Sequence, residues 1–259
     1  MPAADLELLI RAARAAGDVA RRFSGPTAKR WDKPDGAGPV TEADLAVNDT
    51  LAAILRPARP GYGWLSEESP DSTDRLGAEH VFVVDPIDGT RSFMEGSDTW
   101  AHALAVVHQG QVIAGVIYLP MKDKLYAAAL GEGATLNGGH IAPSPRDTLD
   151  GAEVLAARPA MEPRHWPGGV PPVKRVYRAS LAYRMATVAE GRFDAMLTLR
   201  RSWEWDVAAG ELILREAGAR VTDRSGQPLR FNNAEPLVDG VVAGGNLVHA
   251  GLLDHLAGT

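Results

Sequence analysis

The run Asp85-Pro86-Ile87-Asp88-Gly89-Thr90 places two carboxylates three residues apart, then a glycine and a hydroxyl. It follows Val81-Phe82-Val83-Val84, which reads as a buried strand, and it leads into a predicted helix start. Oxygen donors at the mouth of a sheet suit a hard divalent cation such as Mg²⁺. Free N–H groups at a helix start suit a phosphate. Together they point to metal-assisted phosphate chemistry.

Three other segments carry acids that bear on this. Ser66-Glu67-Glu68-Ser69 reads by itself as a solvated loop. Beside Asp85 and Asp88, however, it offers the additional carboxylates that a two-metal site needs. Thr41-Glu42-Ala43-Asp44 supports two readings. Thr41 caps a helix with Asp44 at N3, an acidic variant of the capping box, or Asp44 orients a hydroxyl or water near the metals. Trp203-Glu204-Trp205-Asp206 opens a helix whose inner face is Ala209, Leu212, Ile213 and Ala217, with Gly218 as its C′ residue. Asp206 either caps that helix or, beside small residues, allows close approach of a metal. The seven histidines show no zinc spacing, and the glycine-rich stretches 131–139 and 244–245 match neither a P-loop nor a dinucleotide fingerprint.

These residues need a scaffold, and 259 residues suffice for one large domain or two sharing an interface. The N-terminal helix directs Leu6, Leu9, Ile10, Ala13 and Val19-Ala20 inward. A Pro/Gly-rich stretch from Gly25 to Val40 separates it from a second helix, with Val47, Leu51, Ile54 and Leu55 inward, ended by Pro57 and Pro60-Gly61. Apolar strands are predicted over 101–107, 112–119 and 125–129, then a turn-rich hairpin through Asn137-Gly138-Gly139. Pro143 and Pro145 mark a junction between an N-terminal α+β half, 1–145, and a C-terminal half, 146–259. In the second half, strand-like 153–156, 193–199, 219–222 and 240–243 alternate with helical 179–190, 206–217 and 247–256, the α/β pattern. Residues 159–172 hold five prolines and read as irregular.

A net charge of -6 argues against general nucleic-acid binding. The absence of cysteine excludes disulfides, thiolate metal sites and a Cys nucleophile. Residues 1–23 are too charged for a secretory signal, and no stretch reaches the roughly 18 apolar residues of a membrane span. A soluble, cytoplasmic protein with no membrane partner is the expectation.

Taken in order, Val40-Thr41-Glu42-Ala43-Asp44, Ser66-Glu67-Glu68-Ser69, Asp85 to Thr90, and Trp205-Asp206 resemble the inositol monophosphatase family of Mg²⁺-dependent, lithium-sensitive phosphomonoesterases. The similarity spans nearly the whole chain, including Gly131-Glu132-Gly133-Ala134 and Leu136-Asn137-Gly138. The resemblance implies a five-layered α/β/α/β/α sandwich, a homodimer, and two or three Mg²⁺ per site. It implies that Glu67, Asp85 and the Ile87 carbonyl bind one Mg²⁺, and that Asp85, Asp88 and Asp206 bind another. Asp44 and Thr90 would orient the attacking water, with Glu67 counted among the catalytic residues, and the Gly89 and Thr90 amides would hold the phosphate. Lys33 stands where the family often has a basic residue near the site. Loss of Asp85 is expected to be worse than loss of Glu68.

The resemblance implies that the substrate is a small phosphorylated metabolite. Arg91, followed by Phe93 and Gly96, and Glu204-Trp205-Asp206 resemble the 3'(2'),5'-bisphosphate nucleotidase branch. Inositol-selective members carry an acid about seven positions before the last metal Asp, where this chain has Leu199. Arg200 and Arg201 follow, and they either pair with a second phosphate or form a solvated turn. Ser180 sits where relatives contact substrate. Hydrolysis of adenosine 3',5'-bisphosphate to AMP and phosphate is the leading expectation. Inositol monophosphate or histidinol phosphate is the alternative, and a non-catalytic regulatory binding protein is the reading from another class.

Overall fold

The computed structural model of the chain describes residues 2–23, 27–33 and 38–258. Helix α1 (Pro2–Ala20) buries Leu8, Leu9, Ala12, Ala13, Ala16 and Gly17, a stripe at i, i+4 spacing. Of the expected inward residues Leu9, Ala13 and Ala20 are fully buried, whereas Leu6, Ile10 and Val19 are half-buried because the stripe is centred on Leu8, Ala12 and Ala16. A short ribbon pairs β1 (Arg30–Asp32) with β2 (Pro39–Thr41) inside the Pro/Gly-rich stretch, of which 24–26 and 34–37 lie outside the described residues. Helix α2 (Glu42–Ala58) buries Val47, Leu51 and Leu55 as expected. It runs through Pro57, contrary to expectation, because a proline in the last turn breaks little of the helical ladder before the chain leaves at Arg59.

The large sheet has seven strands in chain order: β3 (Gly63–Ser66), β4 (His80–Asp88), β5 (Ala101–His108), β6 (Gln111–Leu119), β7 (Lys124–Ala129), β8 (Ala134–Leu136) and β9 (Gly139–His140). β3 and β4 are parallel and the other pairs antiparallel. Its central strands β4 to β7 are largely apolar because both faces are covered. Phe82, Val84, Leu104 and Val106 pack against α1 and α2, while Val81, Val83, Ala103 and Ala105 face the opposite way. Between β4 and β5 lies α3 (Thr90–Met94).

A second sheet contains β10 (Glu153–Leu155), β11 (Lys174–Val176), β12 (Ala195–Thr198), β14 (Arg220–Thr222) and β16 (Val241–Gly244) in the order β11-β10-β12-β16-β14. A small ribbon joins β13 (Ser202–Trp203) to β15 (Leu237–Val238). Helices α4 (Leu181–Ala189) and α5 (Glu204–Glu216) lie between the two sheets and share one core with both, while α6 (Asn246–Ala257) covers the far face of the second. The layers are therefore α1α2, sheet, α4α5, sheet, α6: the expected α/β/α/β/α sandwich. The sequence reading missed β1, β2, β3, β11, β13 and β15, which have two to four residues each and little room for periodicity. No helix among the described residues is long and apolar enough to cross a membrane.

The middle layer is thin because its contact residues are small. A Cβ on Gly210 of α5 would lie 2.6 Å from the Met185 sulfur of α4, and one on Gly115 of β6 would lie 3.0 Å from the Ala209 carbonyl. The small residues after Asp206 thus serve helix packing, and they bring the start of α5 down onto the large sheet.

On α6, buried His249 pairs through Nε2 with Thr222 Oγ1 at 2.9 Å. Burial, then the charge of Arg220, pulls its pKa down from the ordinary 6.5 to about 4. A depressed base contributes stability above its unfolded pKa and loses it as pH falls through the folded one. The stability advantage of wild type over His249→Gln should therefore shrink by up to about 3 kcal/mol as pH falls from about 6.5 to 4. Urea unfolding at the two ends of that range measures it, and a gap that does not move with pH would refute the assignment.

Candidate active site

One carboxylate oxygen each from Asp85, Asp88 and Asp206 lie within 4.8 Å of one another. In a regular strand, residues three apart point to opposite faces. Here the β4–β5 register shifts: Asp85 faces Ala103 and Asp88 faces Ala101, so Pro86 and Ile87 oppose His102 alone. This bulge reverses the alternation and turns both carboxylates to one side. Fully buried His102 holds it by a hydrogen bond from Nδ1 to the Pro86 carbonyl. Burial pulls the His102 pKa down to about 4, so the ring is neutral and its proton sits on Nδ1, facing that acceptor. Sequence reading found the acids but neither the bulge nor His102. An unpaired residue count between two strands becomes visible only once their register is known.

The remaining ligand candidates arrive from other elements. Parallel pairing of β3 with β4 continues into the Glu67 N–H to Val84 carbonyl bond at 3.2 Å, which sets Glu67 beside Asp85. Asp206 enters from the first turn of α5. Asp88 is held by the second half of the chain: its Oδ2 accepts from Ser180 Oγ at 2.5 Å and from the Ala182 N–H at 2.6 Å. The N-terminus of α4 thereby engages one oxygen of Asp88. Ser180 faces this carboxylate and caps α4 through the Tyr183 N–H at 3.0 Å, so the structure places it behind a ligand candidate rather than against substrate.

Asp44 satisfies both of its readings at once. Its Oδ2 accepts from the Thr41 N–H at 2.9 Å in a capping box, and its Oδ1 accepts from Thr90 Oγ1 at 3.2 Å. Thr90 Oγ1 also lies 3.3 Å from the Ile87 carbonyl. Gly89 between them has φ +96°, a conformation that favours glycine, and a Cβ there would press on Ser180 Cβ at 3.3 Å. Lys33 bridges Glu67 at 2.8 Å and Glu68 at 2.6 Å. Burial pushes the Glu68 carboxyl up to about 7, against the pull of Lys33.

The fit to a cation rests on charge. Burial first, then the charges of neighbouring carboxylates, raise Asp85 and Asp206 well above the ordinary carboxylate range. Asp85 Oδ1 is buried and has no hydrogen-bond partner among the described residues. An oxygen-only donor set with an orphaned acceptor and mutual repulsion matches a hard divalent cation.

Beside this cluster a cavity of about 620 Å³ runs between the two halves, with Asp88, Thr90 and Asp206 in its wall. Arg91, Arg164, Arg184 and Arg200 also line it, together with Leu199 and Tyr177. Arg184 is buried, donates to the Arg178 carbonyl at 2.5 Å and lies 4.9 Å from the Tyr177 ring centre. Arg201, expected to face substrate alongside Arg200, instead forms a two-point ion pair with Glu235 at 2.7 and 3.1 Å and does not line the cavity. Sequence reading missed Arg164 and Arg184. The first sits in the proline-rich stretch and the second in a helix read only for its apolar face.

The sequence model of the inositol monophosphatase family matches residues 3–257. The chain belongs to that family. It is 34% identical to an inositol-1-monophosphatase of Mesorhizobium japonicum over 96% of this chain and 94% of that one. It is 33% identical to the Nus factor SuhB of Pseudomonas aeruginosa, over 85% of this chain and 86% of that one. Among solved structures, the Bartonella henselae extragenic suppressor protein suhB superposes with a TM-score of 0.80 at 30% identity, covering 98% of both chains. The Thermotoga maritima IMPase gives 0.83 at 25%, covering 99% of this chain and 97% of that one. Membership makes the protein a phosphoric monoester hydrolase of a metal-dependent family.

For this family member, the charge crowding has a measurable consequence. Asp85→Asn removes a buried charge that its surroundings oppose. In chelator at neutral pH the variant should melt at a higher temperature than wild type, and a divalent cation should raise wild type but not the variant. A raised carboxyl costs folding free energy above its unfolded pKa, near 3.9, so the difference in chelator should widen as pH rises from there. A variant less stable than wild type in chelator at pH 7 would count against the argument.

Proposed function

We propose that the protein is an Mg²⁺-dependent phosphatase acting on a small metabolite that carries a second anionic group, with adenosine 3',5'-bisphosphate as the favoured substrate. The observation that carries this reading is the cavity wall, where four arginines converge beside the acidic cluster. Glu67, Asp85 and the Ile87 carbonyl would hold one Mg²⁺, and Asp85, Asp88 and Asp206 another. When bound, the ions would polarise the phosphate, lower the pKa of water and steady the attacking and leaving oxygens.

The protein's own groups do the rest. Asp44, anchored on the Thr41 amide, accepts the Thr90 hydroxyl proton and leaves the Thr90 oxygen free to receive a hydrogen bond from water. Oriented in this way, water attacks phosphorus, its proton passes toward the Thr90–Asp44 pair, and the ester oxygen departs with a proton from solvent. The amides of Gly89 and Thr90 hold the phosphate oxygens. Arg184, already fixed by the Arg178 carbonyl and Tyr177, and Arg200 pair with the second anion at little ordering cost. Leu199, in place of an acid, supplies no acceptor for sugar hydroxyls, which weighs against an inositol ring.

Inositol 1-phosphate is the second reading, favoured by the name of the Mesorhizobium relative. A purely regulatory role, suggested by the Pseudomonas relative's name, is disfavoured because Glu67, Asp85, Asp88 and Asp206 are all present. A phosphate-release panel of the bisphosphate, inositol 1-phosphate and histidinol phosphate, with and without Mg²⁺, separates these. The bisphosphate should have the highest kcat/KM, and Asp85→Asn should abolish turnover of all three. Arg200→Ala should raise KM for the bisphosphate by about tenfold, the loss of one charge-assisted bond, and should hardly affect an ester without a second anion. Inositol 1-phosphate winning by more than about tenfold would overturn the substrate while sparing the class.

A further inference from the structure

The opposite end of strand β4 carries a second group of metal-type donors that the phosphatase reading does not use. His80 opens β4 and His108 closes β5, and the antiparallel register sets them directly across from each other. Their ring centres are 4.4 Å apart. Glu79 lies next to them in the chain, and its Oε1 is 3.8 Å from His108 Nδ1, too far for a hydrogen bond. One ligand atom from each of the three side chains lies within 4.8 Å of the others.

We propose that Glu79, His80 and His108 form a separate binding site for a borderline divalent cation of the Zn²⁺, Co²⁺ or Ni²⁺ type. Two imidazoles and one carboxylate suit that class and not Mg²⁺, which prefers oxygen donors and retains its water. Ligand atoms on one tetrahedral ion sit about 3.3 Å apart, given bonds of about 2.0 Å, so closure requires movement of about an ångström. The Glu79 side chain is 68% exposed and has room to move toward an ion.

Other features support the site independently of spacing. His108 Nδ1 is shut off from water yet has no hydrogen-bond partner among the described residues. The His80 ring is stacked on Tyr62 at 4.7 Å, tilted 11°. Tyr62 is tied through its hydroxyl to Asp5 at 3.1 Å, and Asp5 to Arg59 at 2.8 Å. The backbone is equally fixed: the two-residue turn Gln109-Gly110, both at positive φ, closes the hairpin immediately after His108. The site lies about 16 Å along the strand from Asp85, too far for a shared ligand.

Equilibrium dialysis of untagged full-length protein against Zn²⁺ in saturating Mg²⁺ tests the proposal. Wild type and Asp85→Asn should each retain one Zn²⁺ per chain. His80→Gln and His108→Gln should bind it at least about tenfold more weakly while keeping wild-type Mg²⁺-dependent turnover. Glu79→Gln, which disturbs no buried group, reads the site if a histidine variant fails to fold, and Co²⁺ in place of Zn²⁺ should show a visible absorption band that this variant weakens. No Zn²⁺ retained by wild type, or equal retention by wild type and the Glu79 variant, would overturn the proposal. Because the site shares no residue with the phosphatase centre, either reading can fail without the other.

Discussion

Like charges gathered away from water oppose folding, and the architecture is organised around holding Asp85, Asp88 and Asp206 together in spite of that. Each enters from a differently supported piece of backbone. Asp85 lies within a strand whose preceding residues Val83 and Val84 are buried on opposite faces, and Asp88 rests on the start of α4. Asp206 is carried on α5, pressed against the large sheet through Ala209 and Gly115. No single element could impose the cluster, since one strand or helix would simply rotate the charges apart. Hydrophobic burial from three layers outweighs the repulsion, at about 1.5–3 kcal/mol for each fully buried aliphatic side chain.

The same arrangement links the two halves of the chain. Asp88 belongs to the first half, yet its Oδ2 is satisfied by Ser180 and Ala182 of the second. The α4α5 layer is shared by both sheets, so its position is set by packing on two sides at once. Metal-ligand candidates from one half and Asp206 from the other are therefore positioned by a common core rather than by a hinge. The role of Ser180 follows from this: its hydroxyl completes both the cap of α4 and the carboxylate it meets.

Motifs whose chemistry is local could be read from the chain, whereas features that depend on register or on three-dimensional neighbours could not. Thr41 to Asp44 showed a capping box in sequence, and the structure adds that the cap uses one oxygen of Asp44 and leaves the other to accept from Thr90. The long strands and helices were legible because they repeat at period 2 or 3.6 over enough residues to be counted. The β4 bulge was not, because its signal is a mismatch between strands 85–88 and 101–103 that neither displays alone. Arg200 and Arg201 were equivalent as letters, and only the location of Glu235 sends one into an ion pair while the other faces the cavity.

This division has a chemical logic. The groups that would meet the reacting phosphate come from strands and helix starts, where packing leaves a tolerance of tenths of an ångström. The two groups proposed to meet a second anion differ in their support: Arg184 is carried on α4, whereas Arg200 comes from the short link between β12 and β13. Connections tolerate substitution because little core depends on them. A family built this way can exchange an acid for Leu199 without disturbing the carboxylate cluster seven residues later. For that reason whole-chain identity of about a third to proteins with different names establishes the chemistry far more firmly than the substrate. The choice of substrate rests on the cavity wall, where the cationic side chains are the groups proposed to select for anions.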